Sequence, residues 1–125
     1  THLFDSIRDA NGIGNKAFNA SLKEAATHAA QMALDTLKNK SAYIGSVVNI
    51  NFPLETAADT PVVETFPAKL QLGSLFIETS PGKYSFRYSD GTVVEPHPES
   101  DRAVLDSGRI SRSLLNFSRI GRPQE

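Results

Sequence analysis

The longest helical pattern in the chain lies in "SLKEAATHAAQMALDTLKNK". Leu22, Ala25, Ala26, Ala29, Ala30, Ala33, Leu34 and Leu37 recur there at the spacing of one helix face. Ser21 followed by Glu24 has the form of a capping box, in which hydroxyl and carboxylate each satisfy a backbone N–H left free by the first turn. The helix is therefore expected to start at Ser21. Its stripe is mostly alanine, so a partner surface can approach closely, and Lys38 and Lys40 complement the macrodipole at the far end. Upstream, "HLFDSIRDA" predicts a short helix with Leu3, Phe4 and Ile7 on one side, and the glycines of "NGIGN" turn it into an elbow.

After the helix the period changes. "SVVNINFP" alternates, with Val48, Ile50 and Phe52 on one face and Val47, Asn49 and Asn51 on the other. Asparagine is disfavoured in strands, so these amides either face water or hold neighbouring backbone. "VVETF", "AKLQLGSLFIE" with a bend at Gly73, "YSFRY" and "TVVE" read as further strands, separated by the turns "TSPGK" and "SDG". Tyr84, Phe86 and Tyr88 share a face and are expected beneath the helix; stacking of nucleic-acid bases is the competing use. Ser100 caps a short helix over "DRAVLDS", and Gly108 suits its C′ position. The fold class is thus α+β: an Ala-rich helix packed on an antiparallel β-meander of about four strands, a short C-terminal helix and an extended basic tail. One domain is expected over 1–125, with an arm at 1–16, a core at 17–111 and the tail at 112–125.

Charge alters this picture at one end only. Residues 1–101 carry eight basic and twelve acidic side chains, whereas 102–125 carry five arginines against Asp106 and Glu125. Such a split is either a solvated face or a footprint for phosphate or an acidic partner. At 125 residues, with 39% hydrophobic and 22% charged side chains, the composition is that of a globular domain. The absence of cysteine removes disulfides, thiolate zinc sites and a cysteine nucleophile. Together with an opening "THLFDSIRD" unlike a signal peptide, it favours a soluble cytoplasmic protein with no membrane span.

Candidate chemistry is sparse. His2, His28 and His97 lack the i,i+4 pairing of a zinc helix, and no G-x-S-x-G elbow occurs. The expectation is therefore no catalytic residue, no metal site and no cofactor. Three stretches nevertheless stand in a suggestive order: "EAATHAAQMALDTL", the strand "VVNINFP", and the closing "SDRAVLDSGRIS". This succession, over about residues 17–115, resembles the C-terminal half of the SurE family of metal-dependent survival phosphatases and 5′(3′)-nucleotidases. Asn49, Asn51 and Pro53 match the family's L-N-V-N-x-P strand, and Asp101, Leu105, Gly108, Ile110 and Ser111 match its closing element. Where the family closes on Thr-Pro, Ser113-Leu114 stands here. The resemblance implies that the family's metal-binding acids belong to an N-terminal α/β half with no counterpart here, so no catalytic residue carries over. It also implies a role in oligomer contacts.

Three functions remain open. The first is a non-catalytic interaction or structural domain, a subunit of a larger assembly or homo-oligomer. The second is a nucleic-acid or phosphate-ligand binder using Arg102, Arg109, Arg112, Arg119 and Arg122, with Leu115 and Phe117 between them; on a helix Arg109, Arg112 and Arg119 would fall near one face. The third is a fragment or split chain of a SurE-like nucleotidase.

Overall fold

Helix α1 occupies Lys16–Lys38 in the computed structural model, which describes Arg8 and residues 14–87 and 91–117. It starts five residues before the expected cap. Asn15, in extended conformation, takes the capping role, its side chain accepting from the Ala17 N–H at 2.9 Å. Ser21 has a tertiary role instead: its hydroxyl donates to the Leu54 carbonyl at 2.8 Å and accepts from the Thr56 N–H at 2.7 Å. The expected short helix at the N-terminus lies outside the described residues, apart from Arg8, which bridges to Gly14. At the other end the Asn39 side chain donates to the Asp35 carbonyl, and a 3-10 turn over Lys40–Tyr43 leads into the first strand.

The architecture is α+β. Strand β1 (Ser46–Asn51) lies antiparallel to β7 (Ile110–Asn116), with registers running from Ser46↔Asn116 to Asn51↔Ser111. On the other side of β7, strand β2 (Val62–Thr65) runs parallel to it, so the three-stranded order is β1-β7-β2. Two smaller ladders lie between: β3 (Leu70–Gln71) with β6 (Thr92–Val93), and the hairpin β4 (Phe76–Ser80) with β5 (Lys83–Phe86). This corrects the expected meander. The Pro81-Gly82 turn closes β4 on β5, with Gly82 at φ +72° and its N–H bonded to the Glu78 carboxylate. The chain after β5 then returns to β3 rather than folding back on β5, and the "AKLQLGSLFIE" run divides into two strands around Gly73.

The closing element is also a strand. Ser100 caps α2 (Asp101–Asp106), its hydroxyl accepting from the Ala103 N–H, and Gly108 follows at φ +75°, a conformation that costs glycine little. Beyond it, 110–116 is β7, so Arg112 and the first residues of the expected tail are part of the sheet. Ser111, Arg112 and Ser113 find side-chain partners on the flanking strands, Ser111 on β1 and the other two on β2.

The core is small. Among the described residues Val104 on α2 and Ile110 on β7 are the buried hydrophobic side chains, each with 0% exposure. Ser111 and Ser113 are equally buried, and their hydroxyls are satisfied across the sheet by Asn51 and Thr65. Helix α1 contributes no buried residue, and Leu22, Leu34 and Leu37 are exposed. The expected helix-on-sheet packing is therefore replaced by attachment along a loop. Tyr84 and Phe86, expected beneath the helix, are instead exposed at 64% and 65%, and Tyr88 lies outside the described residues. Among the described residues no helix is long and apolar enough to cross a membrane.

Candidate interaction surface

The arginines separate once the sheet is formed. Arg112 projects from β7 toward Glu64 on the neighbouring β2, the two residues being register partners, and its guanidinium donates to the Glu64 carboxylate. A second N–H donates to the Tyr43 hydroxyl at 2.7 Å, with the guanidinium 5.5 Å from the Tyr43 ring centre. The hydrogen bond to Glu64, then that to Tyr43, raises the Arg112 pKa above its ordinary value against the opposing effect of burial. This cation clamps the 3-10 turn and β2 onto β7.

Two other arginines are engaged locally. Arg102 pairs with Asp106 one turn along α2 at 3.3 Å, and the Arg109 Nε donates to the Ser107 hydroxyl at 2.7 Å. Arg119 and Arg122 lie outside the described residues. Leu115 is half-buried opposite Val47, and Phe117 is 48% exposed at the end of β7. Arg109 precedes β7 and Arg112 lies within it, so these two do not share the helical face expected for Arg109, Arg112 and Arg119. The clamp's partners, Tyr43 and Glu64, were not legible as such: they lie 69 and 48 positions from Arg112, and no spacing rule links them.

The larger unsatisfied surface is on α1. Its inward side is held by Ser21 at Leu54 and Thr56 and by His28, whose Nε2 lies 2.9 Å from the Ala57 carbonyl. His28 is thus a structural hydrogen-bonding residue. Turned away from that attachment, Leu22, Ala26, Ala30, Ala33, Leu34 and Leu37 are all exposed, the leucines at 50%, 52% and 68%. A cleft of about 1000 Å³ lies between the first turns of α1 and the 54–58 loop, lined by Phe18, Ser21, Lys23, Leu54 and Thr56 among others. Among the described residues no three His, Asp or Glu side chains gather as a metal site would need.

The β4–β5 hairpin adds a second apolar surface. Phe76 and Phe86 stack edge to face with centroids 5.8 Å apart, yet remain 60% and 65% exposed. Gly91, just before β6, has φ +74°, and a Cβ there would come within 3.0 Å of the Leu72 side chain and 3.3 Å of the Gln71 carbonyl.

The two quoted motif stretches meet in the sheet. Asn51 stands opposite Ser111 and donates its side-chain amide to that hydroxyl at 3.2 Å. Asp101 accepts from the Ala68 N–H at 2.7 Å, fastening α2 to the segment after β2. No family model matches the chain, and no curated protein matches it.

Proposed function

We propose that this chain is a non-catalytic interaction domain, a structural subunit that completes its fold against another polypeptide. The observation that carries this reading is α1, a 23-residue helix with no buried residue and three exposed leucines. Amphipathic helices in globular proteins draw most of their stability from an apolar face packed on something else. An exposed apolar face of this length, together with an aromatic hairpin equally exposed, supports the reading of a contact surface. Light scattering of the purified chain, combined with pull-downs from its source cells, tests the reading. A concentration-independent monomer that captures nothing would remove it.

A second reading, a fragment or split chain of a SurE-like metal-dependent nucleotidase, is favoured by the meeting of the two motif stretches as neighbouring strands β1 and β7. On that reading the chain supplies scaffold and the metal site comes from elsewhere. A phosphatase assay with added divalent metal, run with the isolated chain, is expected to be blank. Turnover by the chain alone would overturn both readings.

A further inference from the structure

We draw no further inference here: the strongest candidate, the aromatic face that Phe76, Tyr84 and Phe86 make on the β4–β5 hairpin, is left exposed with nothing in the structure to show what covers it.

Discussion

Arg112 on β7 bonds Glu64 on β2 and Tyr43 in the 3-10 turn, joining three elements that are far apart in sequence. Because Glu64 is 67% exposed, solvent discounts the ionic part, and Arg112→Ala is expected to cost about 1–2 kcal/mol. Chemical denaturation of Arg112→Ala, Tyr43→Phe and the double variant measures the coupling. Losses that add would show that Arg112 and Tyr43 are not coupled.

The same residue fixes a pH expectation. A folded-state pKa raised above the ordinary value means that Arg112's contribution is fully present below the unfolded value and is lost only as pH rises through the folded one. The stability difference between the chain and Arg112→Ala is therefore flat from pH 7 to about pH 10 as far as Arg112 ionisation is concerned. A slope within that window would assign the titration to another group.

With Val104 and Ile110 as the buried apolar residues among those described, each carries an unusual share of the core. Ile110→Ala is expected to lose about 2–5 kcal/mol, enough to unfold a marginal domain. Circular dichroism melts check this. A loss below about 1 kcal/mol would mean that the core lies elsewhere.

The buried Ser113 hydroxyl lies 2.7 Å from that of Thr65, and removing either partner leaves the other unsatisfied. Thr65→Val is expected to cost about 1–3 kcal/mol, and Thr65→Val with Ser113→Ala less than the sum of the two single changes.

How much of this was legible follows from range. The 3.6-residue period of Leu22 to Leu37 and the alternation of Val47 to Asn51 are local signals, and both elements form. So do the Ser100 cap and the Gly108 stop, which depend on hydrogen bonds within a few residues. What failed was pairing. Nothing local tells that β6 joins β3, or that β2 lies parallel to β7, because register is set by side chains dozens of positions apart. The capping box at Ser21 failed for a related reason: its hydroxyl is used at Leu54 and Thr56, while Asn15 starts the helix earlier. The arginine-rich stretch misled in the same way. Helical spacing would align Arg109 and Arg112, whereas the strand gives Arg112 a cross-strand partner.

Leu37, 68% exposed on α1, separates folding from association. Leu37→Lys is expected to leave the stability of the isolated chain within about 0.5 kcal/mol while weakening self-association. Sedimentation beside a thermal melt distinguishes the two, and a large loss of stability would place Leu37 in the chain's own core.

The most direct measurement of the central claim is backbone hydrogen exchange across Leu22–Leu37 at increasing protein concentration. If α1 is an interface, its amides exchange quickly in dilute solution and gain protection as the chain associates. Exchange that is equally fast at every concentration, in a sample that light scattering shows to be associated, would contradict the claim.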